Sequence, residues 1–341
     1  MQPYAAAIVL ALAAGVGGQG RIATPATANG VPSGEGVRPD VTVCDVEAGG
    51  LFGVITDVGV DAAGRVLMLD RQLMTIHVVD PEDGGAGLIS TMGREGEGPG
   101  EFWTPATIAV SARGDCTVFQ SFTADAVSFD RSGDVVAAPN MSGVRSGFLN
   151  TEIVRSVMLA DRSYVLEVAH VVPQGEGPGG AVVRRLVWVK DDGASVEVLV
   201  SSASDPEARL PFRGVSARLG LIPGWDVDDA GTLVFLDGRS PSSLSVVSLH
   251  DETVEYFELD LSFETESSTA ALEDEHGVDR GTLPRVSQIG WLVPGRRVVL
   301  RTSVEIHRAT KSRDWVEVEA HDLATSASSV HRLAVEDSAS D

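Results

Sequence analysis

Gly87-Leu-Ile-Ser-Thr-Met-Gly-Arg-Glu-Gly-Glu-Gly-Pro-Gly-Glu-Phe-Trp-Thr-Pro105 decides the fold. Leu88 to Met92 is a short β-type run. A glycine-rich acidic turn follows over residues 96–100, then an acid and two aromatics, Glu101, Phe102 and Trp103. Pro105 opens the next β-type run. The glycines from Gly93 to Gly100 have the look of a phosphate loop. Such a loop needs free N–H groups, positive potential and a helix behind it. Here Glu95 and Glu97 sit where the anion would, no Lys-Ser or Lys-Thr pair follows, and the next pattern is a strand. The stretch therefore reads as a crossover between two copies of a repeated β unit.

Working outward, the unit recurs. Its clearest line is a small turn followed by an apolar strand, at Gly64–Asp70, Gly114–Gln120, Asp161–Glu167, Gly231–Asp237 and Gly295–Arg301. Earlier apolar runs end in the same kind of turn: Ile55–Val60 before Asp61-Ala-Ala-Gly64, Thr107–Val110 before Ser111-Ala-Arg-Gly114, and Trp225–Val227 before Asp228-Asp-Ala-Gly231. Gly supplies the positive φ of a tight hairpin and Asp bonds its own backbone. Third strands follow at Thr75–Val79, Ala126–Phe129, Arg185–Val189, Leu244–Leu249 and Trp315–Ala320. Fourth strands follow at Leu88–Met92, Val135–Ala138, Val196–Val200, Val254–Leu259 and Val330–Val335. A four-stranded meander that is apolar on both faces cannot bury them alone, and stacking blades around an axis solves this. The expected fold is all-β, a β-propeller of four-stranded antiparallel blades. Five blades are countable. The second strands begin 50, 47, 70 and 64 residues apart, so the later blades carry insertions. One of these, Phe263–Gly281, reads as a short helix capped at Ser267, Ser268 or Thr269.

Gly93–Phe102 followed by Pro105 resembles the joint between blades of six-bladed propellers of the NHL-repeat type. More narrowly it resembles the exported bacterial six-bladed propeller proteins, a family of unknown function. Asp61–Asp70 with Ile76-His-Val-Val-Asp80 matches that family's strand–turn–strand line, and Leu283-Pro284 with Arg313–Glu317 resembles its late blade. The resemblance implies six blades. A degenerate blade within 200–225, closure of the ring by Val41–Val46, or a ring short of one blade would each reconcile six with five. Gln120 stands where the repeat usually has Asp.

Composition narrows the partners. With 26 basic against 49 acidic residues, net −23, the chain repels phosphate backbones and anionic lipid, so nucleic acid is not an expected partner. Residues 5–16 are an apolar run too short for a bilayer span and read as the core of a secretory signal, although no Lys or Arg precedes it. Ala26-Thr27-Ala28 offers a cleavage site before Asn29. The organisation is therefore a signal peptide and flexible leader over 1–40, one propeller domain over 41–336 and a disordered tail over 337–341. The expected location is periplasmic or extracellular, with no membrane insertion once the signal is removed. Cys44 and Cys116 are the two cysteines. They form one disulfide or pack as small apolar residues.

In a propeller the loops between second and third strands gather at one mouth of the channel. The candidate ligand-binding residues there are Arg94, Trp103, Arg71, Glu101 and Arg239. Asp70 and Asp237 are expected to bond the turns that follow them, and Phe102 to pack between blades. The loop Pro173–Gly180 echoes the crossover and is either a flap over the mouth or an ordinary long hairpin loop. Catalytic residues are not assigned: there is no Gly-x-Ser-x-Gly, and none of the seven histidines pairs at ligand spacing. His77, His321 and His331 are placed on the rim. No cofactor is expected. If any ion binds, it is calcium, in the channel or in a turn such as Asp226–Asp229. The reading is an exported, non-catalytic binding or interaction module for a protein or small polar ligand. The alternative is a divalent-metal-dependent hydrolase or lyase of the gluconolactonase-like kind.

Overall fold

The computed structural model describes residues 52–80, 87–148, 151–173, 180–190, 193–202, 209, 224–236, 243–259, 283–293, 298–306 and 315–334. The chain divides into two compact units, one holding Asp40–Phe212 and the other Pro223–Asp341.

The first unit contains three four-stranded antiparallel meanders. Blade one is β1 (Ile55–Val60), β2 (Val66–Asp70), β3 (Thr75–Asp80) and β4 (Gly87–Met92). A parallel two-residue pair, β5 (Arg94–Glu95) with β6 (Glu101–Phe102), forms the crossover. Blade two is β7 (Pro105–Val110), β8 (Cys116–Gln120), β9 (Ala126–Phe129) and β10 (Val135–Val136), the last shorter than the sequence suggests. A short helix that the sequence pattern did not reveal, α1 (Ser142–Gly147), leads to blade three. That blade is β11 (Glu152–Met158), β12 (Tyr164–Pro173), β13 (Gly180–Val189) and β14 (Val196–Ser201). The second unit holds two more meanders of the same order. Blade four is β15 (Trp225–Val227), β16 (Thr232–Leu236), β17 (Ser243–Ser248) and β18 (Val254–Glu258). Blade five is β19 (Leu283–Val293), β20 (Val298–Ile306), β21 (Trp315–Asp322) and β22 (Ala327–Ala334). The sequence periodicity thus locates all five second, third and fourth strands. Val41–Val46, most of residues 200–225 and the insertion Phe263–Gly281 lie outside the described residues.

The second strands of blades one to four are buried on both faces, which is why they read as unbroken apolar runs. Leu67 and Leu69 pack with Phe102, Ile108, Val118 and Phe129, between blades one and two. Their neighbours Val66 and Met68 point the other way, to Ile55, Val58 and Leu88. This is the two-residue period of a strand sandwiched between layers. Phe119, Leu166 and Val187 build the equivalent layer between blades two and three, and Met141 just before α1, Val144 within it and Phe148 just after it complete it. In the second unit Val234, Leu236, Leu244 and Val246 form a core of their own.

The hairpin turns follow one design. Gly64, Gly114 and Gly231 each donate N–H to the carbonyl three residues back, at Asp61, Ser111 and Asp228. Asp61 Oδ1 accepts from the Ala63 and Arg65 amides, and Asp228 Oδ1 from Ala230 and Thr232. Blade three corrects the sequence register. There Arg162 takes the glycine position, bonding Leu159 O at 3.0 Å with φ at 67°. The third copy is therefore aligned one residue out: Val168, not Glu167, corresponds to Asp70. The pairings Ile55↔Asp70 and Ile153↔Val168 agree.

Candidate functional site

The loop side of the first unit is built from the ends of β2 and β8 and the starts of β1 and β7. In blade one, Asp70 ends β2 fully buried. Its carboxylate accepts from the amides of Gly53 (2.5 Å), Val54 (3.1 Å), Gln72 (2.9 Å) and Leu73 (2.9 Å), and meets His77 Nε2 at 3.2 Å. Burial alone would raise this carboxyl, but the amides of Leu73, Gly53 and Gln72 and the His77 ring outweigh it and hold it below the usual range. The expected turn-bonding role of Asp70 holds, and it extends to the strand before. His77 is not on the rim as expected. It is buried against Asp70, with Phe52 edge-on at 4.8 Å, because its strand lies inside the blade stack.

The crossover is a knot tied around Glu101 and Phe102. Glu101 accepts from the Gly98 amide (2.7 Å) and from Arg94 Nε (2.7 Å), and Arg94 Nη2 lies at 2.6 Å. The Gly98 amide and the Arg94 guanidinium hold the Glu101 carboxyl below the usual carboxylate range. Phe102 is fully buried, edge-on to Phe129. The glycines follow from these two side chains. A Cβ on Gly93, at φ 78°, would meet the Phe102 ring at 2.2 Å. One on Gly96, at φ 148°, would meet the Glu101 carboxylate at 2.1 Å. Glu101 is therefore part of the crossover's own framework, and its carboxylate is already occupied by Gly98 and Arg94.

The other candidates divide. Arg94 joins Glu101 directly and is 77% exposed. Trp103 is 53% exposed, and its amide donates to Gln120 Oε1 at 2.8 Å. Gln120 thus does for blade two, with one bond, what Asp70 does for blade one with several. Arg71 is exposed in the equivalent loop of blade one, its amide bonded to Val54 O at 2.9 Å. Arg239 and Asp237 lie outside the described residues, as does most of the loop between Pro173 and Gly180.

Two features escape the sequence reading. The first is Phe122, 70% exposed, with φ at 68°. It occupies the same second loop as Arg71 and Gln72 in blade one, and that equivalence could have pointed to it. The second lies on the innermost strands. β1, β7 and β11 each carry a bulge at the same place, after Ile55, Pro105 and Ile153. The bulges put Asp57, Thr107 and Arg155 at matching positions. Asp57 accepts from the Thr107 hydroxyl and from the Ile108 amide (2.9 Å), and the Thr107 and Ser156 hydroxyls lie 3.0 Å apart. Burial raises the Asp57 carboxyl, only partly offset by Thr107, Ile108, Val58 and the charge on Arg155. Side-chain bonds thus stitch three inner strands together. Only the tertiary pairing of strands some 50 residues apart reveals them.

Cys116 is a fully buried free thiol, pushed up to about 12 by burial and the neighbouring Asp115. Cys44 lies outside the described residues. Among the described residues no three His, Cys, Asp or Glu side chains converge as metal ligands would, and no helix is long and apolar enough to cross a membrane.

The class these sheets define is all-β, a β-propeller of four-stranded antiparallel blades. No protein-family model matches the chain, and no curated protein sequence matches it. Among solved structures it is similar to a protein of Bacteroides fragilis assigned as exported, with 10% identity, 83% of this chain and 72% of that one covered, and a TM-score of 0.46. It is also similar to a protein of Agrobacterium tumefaciens assigned as TolB (11% identity, 82% of each chain, TM-score 0.43). A third is virginiamycin B lyase of Staphylococcus aureus (8% identity, 83% of this chain and 85% of that one, TM-score 0.40). At such overlaps these likenesses say nothing about activity or partners.

Proposed function

We propose that the chain is an exported, non-catalytic propeller module that binds a protein or small polar ligand through the loop side of its first unit. The six-bladed, NHL-like form of the ring, its extent over 41–336 and a periplasmic or extracellular location belong to the same proposal. One observation carries it. Trp103 and Phe122, two large aromatic side chains, open to solvent at the strand ends where blade two meets its loops, while the equivalent positions of blade one are Gly53 and Gln72. Large exposed aromatics beside the exposed Arg94 of the crossover, with the exposed Arg71 in the corresponding loop of blade one, are the composition of a binding face rather than of a solvated one. Candidate ligand contacts are therefore Trp103, Phe122, Arg94 and Arg71.

A photo-crosslinking residue in place of Trp103 tests this in the native exported fraction. The expected result is a discrete adduct, competed by unlabelled wild-type protein and not by a Trp103→Ala/Phe122→Ser variant. The same probe at Tyr256, exposed on β18 of the second unit, should give none. Equal adducts from both positions, or none from either, would overturn the reading. So would turnover of a lactone substrate that depends on added calcium.

A further inference from the structure

The innermost strands of the first unit are joined by a pattern that steps from blade to blade. β1, β7 and β11 bulge at one place, and the residues after the bulges are Asp57, Thr107 and Arg155. The first two of these side chains reach the next inner strand one position further on. Asp57 Oδ2 accepts the Ile108 amide at 2.9 Å, and the Thr107 hydroxyl lies 3.0 Å from that of Ser156. Ile108 and Ser156 hold equivalent places, each one residue past the post-bulge position. The two steps share Thr107, because its hydroxyl also meets Asp57 Oδ2. One chain of oxygens, Asp57–Thr107–Ser156, therefore crosses three blades.

A hydroxyl has one hydrogen to give and lone pairs with which to accept. Thr107 is fully buried and Ser156 nearly so, so each finds its partners within the protein. When Asp57 is ionised its carboxylate can only accept. The single Thr107 hydrogen then points to Asp57, and the hydrogen between Thr107 and Ser156 must come from Ser156. When Asp57 is protonated, Oδ2 is the oxygen that can donate, since the Val58 amide is already on Oδ1 at 2.9 Å. The Thr107 hydrogen is then released toward Ser156. Only hydrogens change places, and the heavy atoms stay where they are. The two forms are set against each other in one site. Burial favours the neutral acid, while the Thr107 hydroxyl, the Ile108 and Val58 amides and the Arg155 charge favour the ionised one.

We propose that Asp57, Thr107 and Ser156 form a proton-operated relay built into the inner strands of the first unit: ionised Asp57 draws the chain one way, Ser156 to Thr107 to Asp57, and a proton on Asp57 reverses it, Asp57 to Thr107 to Ser156. The charge state of blade one is thereby read on blade three, through a middle blade whose inner strand carries no titratable side chain. The other charged groups near the chain are few. Among the described residues, β1 carries no second titratable side chain. β2 carries Asp70, which is held by its own amides and by His77. β11 carries Arg155, whose charge attracts Asp57, and Glu152, exposed at the start of the strand. Acidification thus changes which hydrogen is offered to Ser156 while the strand ladders stay as they are.

The test is infrared difference spectroscopy of the full chain titrated with acid, in which the carbonyl stretch of a neutral carboxyl that is missing from Asp57→Asn belongs to Asp57. Thr107→Val removes a donor to the carboxylate and should move the midpoint of that band up by about one pH unit. Thr107→Ser keeps the hydroxyl and should leave the midpoint unchanged. Ser156→Ala removes the acceptor that only the protonated chain needs, and should move the midpoint down by about half a unit. Added to Thr107→Val it should cause no further shift, because the connection is already cut. The sign at Ser156 decides. In a one-way chain, where Ser156 always donates, Ser156→Ala withdraws support from the carboxylate and the midpoint moves up. An upward or absent shift in Ser156→Ala, or a shift that persists on Thr107→Val, overturns the relay, and so does a spectrum in which Asp57→Asn removes no titrating band. If Thr107→Val fails to fold, Ser156→Ala in the wild-type background decides alone, with its melting temperature as the check that the fold is kept.

Discussion

At the end of its second strand blade one carries Asp70 and blade two carries Gln120. One backbone bond beside them is the same, but the next residue differs, with Phe122 at φ 68° and its amide on Thr151 O where Gln72 donates to Asp70. Arg71 N bonds Val54 O in one blade and Ser121 N bonds Thr104 O in the other, each at 2.9 Å. Asp70 gathers four amides and a histidine, and the chain beside it shrinks to Gly53, whose Cβ would lie 2.7 Å from the carboxylate. Gln120 takes one amide, that of Trp103, and the place of Gly53 carries an indole that is 53% exposed. A clamp that closes on the backbone leaves no room for large side chains. A looser one frees the strand end to present them. One scaffold thus yields a closed end and an open end, and the open end is where a ligand face can form.

The largest expected effect comes from breaking the closed end. Asp70→Ala strands the four amides and His77, and should cost roughly 3–5 kcal/mol in urea unfolding. Its pH signature has a definite sign. The folded carboxyl is held below its ordinary value, so its contribution is present above about pH 4 and is lost as the pH falls through the lowered pKa. The gap between wild type and Asp70→Asn should therefore narrow on acidification, and a gap that widens would contradict the clamp. Next is the attempt to give blade one the side chain of blade two. Gly53→Trp forces a Cβ against both Asp70 and Gln72 Cβ, and should lower stability by about 1–3 kcal/mol.

Asp57 offers the opposite sign on the inner strands. Burial raises its carboxyl, so its contribution is fully present below about pH 4 and is lost as the pH rises through the raised pKa. Melting temperatures of Asp57→Asn measured from pH 3 to 7 should gain on wild type as the pH rises. In blade two, Gln120→Ala removes a single neutral acceptor and should cost about 1 kcal/mol in the same urea assay. The smallest effect belongs to Trp103→Ala, which should leave unfolding free energy within about 0.5 kcal/mol while abolishing the position-specific interaction. A Trp103→Ala variant that unfolds like Asp70→Ala would make the two ends alike and erase the distinction between them.

Much of the blade pattern was legible because strands sandwiched between layers announce themselves. Gly64, Gly114 and Gly231 mark the hairpins, and the runs after them are apolar on both faces. Blade three was misread by one residue because Arg162 holds a positive φ that the pattern reserves for glycine. Its first strand β11, alternating buried and exposed around Glu152, Val154 and Arg155, carries no turn glycine to flag it. Of the proposed site, Trp103, Arg94 and Arg71 were visible in the sequence as charged and aromatic residues at the crossover and in the second loop of blade one. The engagement of Glu101 by Gly98 and Arg94 was not legible, because it depends on a fold-back that no linear motif displays. Phe122 was missed because its exposure is a property of the loop rather than of the residue.

The sequence by itself determined the repeating meander and its hairpin turns, because each depends on contacts within a few residues or on the alternation of one strand. The tertiary structure decided which acids are engaged and which are left facing water. Asp70 reaches back 17 residues to Gly53, and Thr107 and Ile108 reach back about 50 to Asp57. The residues of 87–105 divide on the same principle. Glu101 is held by Gly98 and Arg94 and Phe102 folds inward onto neighbours brought close by blade packing, while Trp103 is left more than half exposed.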